Sequence, residues 1–179
     1  MFKTSDKVTK SKKYKSYKDK TRIDISHKVL NANQEAGFYT EEEISVNRNK
    51  WIEAVDATIK LYFEHEKKGY KSGWPILVRF TDQDDSLLSM TSGRNSVFID
   101  IFNNATKVKD KSLIDYFKAF EKLMIDKFEG RAHYGKKHYF NKNKMKKAYG
   151  LNLTKFNQIR KKLDPNNMFS NEYIKRLLG

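Results

Sequence analysis

The spacing of apolar residues changes several times along the chain, and each change predicts an element. Residues 1–20 show no apolar period and read as a flexible, basic tail. Ile23, Ile25 and then Val29 alternate with polar positions, which predicts a strand over residues 22–30. A polar stretch over 31–37 turns the chain, and residues 38–46 can extend again. Asn47 is a good helix N-cap, with Val46 and Trp51 at the staple positions around the first turn. Trp51, Val55, Ile59, Tyr62 and Phe63 then recur at helical spacing, predicting a helix over 48–68 that Gly69 ends.

Beyond a turn at Gly73, the β-branched and aromatic run of residues 76–80 predicts a strand. Residues 82–85 are acidic and read as a loop, 87–90 as a second short strand, and 97–102 as a third. Connections this short favour antiparallel neighbours. Leu113, Phe117, Phe120, Leu123, Met124 and Phe128 form the face of a helix over 112–129, which Gly130 ends. The rest is helical, with Phe156, Ile159 and Leu163 on one face, a break at Asp164-Pro165, and a last turn or two through Tyr173 and Leu177. The order predicts an α+β fold: an antiparallel sheet flanked by helices on one face, with a helical C-terminal extension. Domain organisation reads as the tail, 1–20, and one domain, 21–179.

Composition narrows the class. Aromatics are 13% of 179 residues, enough for a packed core although only 38% of the chain is hydrophobic. With no cysteine, disulfides, thiolate metal sites and cysteine nucleophiles are excluded. The sequence has no apolar run near the ~18 residues of a membrane span, and its Lys-rich start lacks a signal peptide's apolar core. A cytoplasmic or peripheral-membrane protein is expected, not a secreted one.

The net charge of +15 sits in two places. Eight lysines face two aspartates in residues 1–20, and eleven Lys/Arg occur over 131–162 without one acid. Such segments could bind phosphates. Arginine, the better base reader, is only 7 of the 37 basic residues, and no nucleic-acid motif accompanies them, which argues against a nucleic-acid partner. The tail could contact anionic lipid, at roughly 1 kcal/mol per lysine near the surface. There is no Walker loop and no G-x-G-x-x-G, and His133 and His138 are five apart rather than four, so no metal site is expected. One group asks for an explanation. Arg131, His133, Lys136 and His138 follow a helix-ending glycine and interleave with Tyr134 and Tyr139, as a polar loop would, or a cationic cluster facing an anionic ligand.

At these residues a resemblance appears. Gly130-Arg131-Ala132-His133-Tyr134-Gly135-Lys136 resembles the Gly-Arg-Pro-His-Trp-(Gly/Ala)-Lys motif of the sugar-1,4-lactone oxidases, flavoproteins of the vanillyl-alcohol-oxidase type. Val78-Arg79-Phe80-Thr81, then Asp84-Asp85 and Leu87-Leu88-Ser89, resembles their Glu-Val-Arg-Phe-Thr, acidic loop and Leu-Leu-Ser stretch. Phe156, Ile159-Arg160 and Leu163-Asp164-Pro165, followed by Met168-Phe169, Asn171 and Tyr173, is similar to their closing signature, and residues 26–31 to a strand upstream. The matches run in consistent order from about residue 23 to the C-terminus.

The resemblance implies the substrate-side, or cap, region of an FAD-dependent sugar-lactone oxidase, without the FAD-binding domain that normally precedes it. In that family hydride passes from a hydroxyl-bearing sugar carbon to the flavin, and a cation stabilises the charge that develops on the ring. Carried over, Lys136 is the flavin-facing cation, His133 a neighbour of substrate and cofactor, and Arg79 the residue that orients the substrate hydroxyl or lactone oxygen. Residues 131–179 are then expected to pack on an FAD-binding domain, in this or another chain.

The departures matter equally. The family's Glu of Glu-x-Arg falls at Leu77, which leaves Arg79 without its expected carboxylate and predicts a chain inactive by itself. The acids Glu41, Glu42 and Glu43 read most simply as a solvated run, with Glu43 the one that could supply a substrate-binding carboxylate. The competing readings are a non-catalytic basic module for nucleic acid or another polyanion, and a remnant without activity.

Overall fold

A computed structural model describes residues 39–72, 74–104 and 109–179. The expected tail over 1–20, the strand over 22–30, the turn over 31–37 and the Gly73 turn lie outside the described residues. The described chain runs β1 (Tyr39–Asn47), a 3-10 turn (Arg48–Lys50), α1 (Trp51–Glu66), β2 (Leu77–Thr81), β3 (Ser96–Asn104), α2 (Lys111–Phe128), β4 (Arg131–Ala132), α3 (Lys142–Tyr149), α4 (Leu151–Leu163) and α5 (Glu172–Leu178). Four antiparallel strands form one sheet in the order β2-β3-β1-β4. The fold is α+β, as expected, with a helical C-terminal end.

The sheet has two faces of opposite character because side chains alternate along each strand. Ile44 lies opposite Ile99, and Val46 opposite Val97. These residues are fully buried with Phe117, Phe120 and Met124 of α2 and Ala54 of α1, so both helices share the core on this face. The other face carries Glu41, Glu43 and Ser45 of β1, Phe98 and Asp100 of β3, and Leu77 and Arg79 of β2. A second apolar cluster joins Ala132, Phe140 and Met145 to Leu153, Leu177 and Leu178, and so gives α3, α4 and α5 a core of their own.

Four expectations need correction. Asn47 caps the 3-10 turn, accepting the Asn49 N–H at 3.2 Å, while Lys50, at the N-cap position of α1, makes no side-chain cap bond. Its buried face is Ala54, Thr58 and His65, with Val55, Leu61 and Tyr62 packed alongside; Trp51, Ile52 and Phe63 are exposed. The helix is rotated from the aromatic stripe because Tyr70 and Tyr116, stacked 4.3 Å apart, and the α2 aromatics already fill that part of the core. Trp51 instead meets Phe80 edge-on at the sheet rim.

Residues 87–90 form turns rather than a strand. Asp84 winds them around its carboxylate, which accepts from the Ser86 N–H and the Ser89 and Thr91 hydroxyls, and these bonds hold its pKa below the usual carboxylate value. Gly130 also acts differently from the expected helix stop. The left-handed residue ending α2 is Glu129, with φ 53°. Gly130 is needed for close approach, since a Cβ there would lie 2.7 Å from Ile44 Cγ2 and 3.0 Å from the Met124 backbone.

Candidate active site

The sheet face that α1 and α2 leave open gathers the four residues singled out from the sequence. Arg79 on β2 reaches across β3 to form an ion pair with Glu43 on β1, and its guanidinium lies 5.6 Å from the centre of the Phe98 ring. Glu43 is not a solvated acid: its side chain is 0% exposed. The segment after β4 continues along β1, with the His133 N–H donating to the Glu43 carbonyl at 2.9 Å and the Lys137 N–H to the Glu41 carbonyl at 3.0 Å. That edge brings His133 Nε2 to 3.9 Å from Glu43 Oε2. His133 Nδ1 accepts the Gly135 N–H at 3.0 Å, so the proton of a neutral ring sits on Nε2, facing Glu43.

The fourth residue, Lys136, forms its ion pair with Glu41, two positions from Glu43 on the same face. Burial lowers its pKa. Sequence reasoning left Arg79 without a carboxylate because Leu77 replaces the expected glutamate. The structure corrects this: the carboxylate comes from β1, two strands away. Leu77 lies on the same face, 44% exposed, directly opposite Asp100.

The cationic cluster over 131–138 divides. Arg131 donates to the carbonyls of Ser92 at 2.7 Å and Ala148 at 3.2 Å, with its guanidinium over Tyr149. Arg94 likewise donates to the carbonyls of Glu129 and Ser45, closing the end of α2. His138 sits in the second cluster, paired with the Tyr173 hydroxyl at 2.7 Å. Tyr173 spends its proton on the Tyr134 carbonyl, so His138 donates to it and accepts the Phe140 N–H. Burial first, then the neighbouring cations Arg176 and Lys144, push His138 down to about 4. Thus His133 and Lys136 turn to the open face, while Arg131 and His138 hold the C-terminal helices.

Much of the basic run over 131–162 is also committed internally, Lys144 to Glu121 and Lys147 to Asp126. Among the described residues no group of His, Asp and Glu is placed to hold a metal ion, and no helix is long and apolar enough to cross a membrane.

A family model for D-arabinono-1,4-lactone oxidase matches residues 2–177. The chain belongs to this family. L-gulono-1,4-lactone dehydrogenase of Mycobacterium tuberculosis is 33% identical over 156 residues, which are 87% of this chain and 34% of the relative. L-gulonolactone oxidase of Mus musculus is 34% identical over 159 residues, 88% of this chain and 35% of the relative, and that of Bos taurus 33% identical over the same shares. The chain therefore spans about a third of the length of the curated relatives it matches.

Within this lactone-oxidase family member, sequence reasoning missed Asp100 and the partner of Lys136. The signal for Asp100 was present. Val97, Ile99 and Ile101 alternate toward the core, so an acid between them had to face the same side as Arg79.

Proposed function

We propose that this chain is the substrate-side domain of an FAD-dependent oxidoreductase acting on a sugar 1,4-lactone, working with an FAD-binding domain in the same or another polypeptide. One observation carries the reading: the fully buried Glu43, ion-paired with Arg79 and flanked by His133, on the sheet face that α1 and α2 leave open. The family membership and the names of the relatives supply the substrate class.

The residues present fit the ring side of FAD. Lys136 and His133 offer N–H donors on one edge of the face, as a polar ring edge requires. Among the described residues there is no cradle for the pyrophosphate: Gly69, Gly93, Gly150 and Gly179 adopt positive φ at four separate places rather than in one loop before a helix. That part of the cofactor is assigned to the FAD-binding domain. Bound there, FAD supplies the hydride acceptor.

The chain's own residues do the positioning. Arg79 spends one terminal nitrogen on Glu43, and its remaining N–H groups are free to orient a lactone oxygen. Glu43 has one oxygen on Arg79 and the other without a donor, so it can accept from a substrate hydroxyl. Lys136 holds a positive charge in a half-buried place, where it counts for more than in water. The exposed apolar residues Leu151, Ile159, Leu163, Met168 and Phe169 border this basic C-terminal region and are the proposed contact for the FAD-binding domain.

The test is reconstitution. The FAD-binding domain of the Mycobacterium tuberculosis relative is mixed with this chain, and L-gulono-1,4-lactone is added. Lactone-dependent bleaching of the flavin's visible absorbance is expected, weaker by at least about 100-fold in Arg79→Ala and absent in Lys136→Ala. A saturated, correctly docked pair that no sugar lactone bleaches overturns the reading.

A further inference from the structure

Among the described residues, Asp100 is the one buried carboxyl of the open face that the assignments above leave without a role. It is 4% exposed, and its Oδ1 has no hydrogen-bond donor. The strand register places it between Glu43 on one side and Leu77 on the other. Among the described residues, the charged groups that act on it are Glu43 from β1 and Arg79 from β2, and Arg79 already serves Glu43. His133 stands beyond Glu43, 3.9 Å from it. Two buried carboxyls thus share one guanidinium. Leaving a carboxyl oxygen undonated in the interior is unfavourable, and such groups persist where a ligand supplies the missing donor. The neighbour on the β2 side, Leu77, is open to solvent, so that is the side from which a donor can arrive.

We propose that Asp100 binds substrate: its carboxylate accepts a hydrogen bond from a ring or side-chain hydroxyl of the polyhydroxylated lactone, beside the Glu43–Arg79 pair. This rests on the lactone reading above and adds a residue to it. The position also gives Leu77 a meaning. A carboxylate on β3 directly opposite residue 77 reaches the same patch of the face that a glutamate on β2 would. Burial, and then Glu43, push Asp100 up to about 7 against the pull of Arg79, so the accepting form gains population as pH rises through neutrality.

The experiment titrates the full 179-residue chain with L-gulono-1,4-lactone from pH 5 to 9, following aspartate 13C carboxyl signals and the thermal midpoint. In the wild type, lactone binding should tighten as pH passes about 7, together with the Asp100 signal. Asp100→Asn should weaken binding about tenfold above neutrality and flatten its pH profile. It should also raise the thermal midpoint at pH 8, because an ionised buried carboxyl is removed; a merely structural aspartate would lower it. Asp100→Asn with Leu77→Glu should recover part of the affinity. Asp100→Asn that binds as the wild type does, or an Asp100 fully ionised below pH 5, overturns the assignment and leaves the lactone reading standing. Wild-type chain that binds no lactone at any pH, alone and with the FAD-binding domain, overturns both.

Discussion

Glu42 and Glu43 are adjacent, both are 0% exposed, and they live in different chemical worlds. Strand alternation sends Glu43 to the open face, where Arg79 pairs with it, and Glu42 under the helices, where neither of its oxygens has a donor. Burial, and then the carboxylate of Glu121, raise the Glu42 pKa well above the usual carboxylate range. A protonated Glu42 can donate to Glu121, which also accepts the Tyr139 N–H and the Lys144 ammonium. The difference teaches that burial alone marks neither carboxylate as functional. What separates them is access: Glu43 shares its face with exposed Leu77 and a half-exposed Arg79, whereas Glu42 shares its face with Phe117 and Phe120.

The sharpest way to break this contrast is to cut side chains from each face. Phe117→Ala, on the helix side, should cost about 3–5 kcal/mol of unfolding free energy by denaturant titration. Phe98→Ala, on the open side and only partly buried, should cost less than half as much. Equal losses would mean that the open face is as much core as the covered one. Gly130→Ala tests the seam where α2 leads into β4. Its new methyl would press on Ile44 Cγ2 at 2.7 Å and on helix backbone, so about 1–3 kcal/mol should be lost, by the same titration.

Legibility followed the same division. Strands β2 and β3 and helix α2 were readable because a period of two or 3.6 in apolar residues is imposed by one buried face. Helix α1 was found but rotated wrongly, because its buried positions are Ala54, Thr58 and His65, and tyrosines from outside the helix fill the space. Residues 87–90 looked like a strand since Leu87 and Leu88 are apolar, yet the local bonds of Asp84 decide their course. At the site, Arg79, His133 and Lys136 came from motif likeness, and the structure gives each a place. The pairing of Arg79 with Glu43 was not legible, because it crosses two strands and depends on sheet order. No local pattern encodes that.

Burial also leaves Glu42 with a signature in the pH dependence of stability. The folded chain holds a proton on Glu42 to a higher pH than the unfolded chain does. As pH rises above the ordinary value of 4.5, the unfolded state releases that proton while the folded state must keep it or ionise in the interior. Stability is therefore greatest below that value and falls as pH climbs towards the folded pKa, at no more than about 1.4 kcal/mol per pH unit for one proton. Glu42→Gln should flatten this slope in denaturant titrations between pH 5 and 7, and leave lactone binding unchanged. A slope that persists undiminished would place the proton elsewhere.

The smallest expected effect on the fold lies at the C-terminal helices. Phe169 is 85% exposed and Met168 80%, in the turn after α4, where the Asp164 carboxylate accepts both backbone N–H groups. The turn is held by Asp164 and not by the two apolar side chains, so Phe169→Ser should change unfolding free energy by less than about 0.5 kcal/mol. The second apolar cluster, with Phe140 and Leu177 buried, should be untouched. If these side chains serve docking, the same substitution should weaken association with the FAD-binding domain several-fold in a titration of the two parts, since exposed aromatics at an interface carry much of its energy. A loss of stability without a loss of association would return Phe169 to the domain's own packing and leave the open sheet face as the contact to probe.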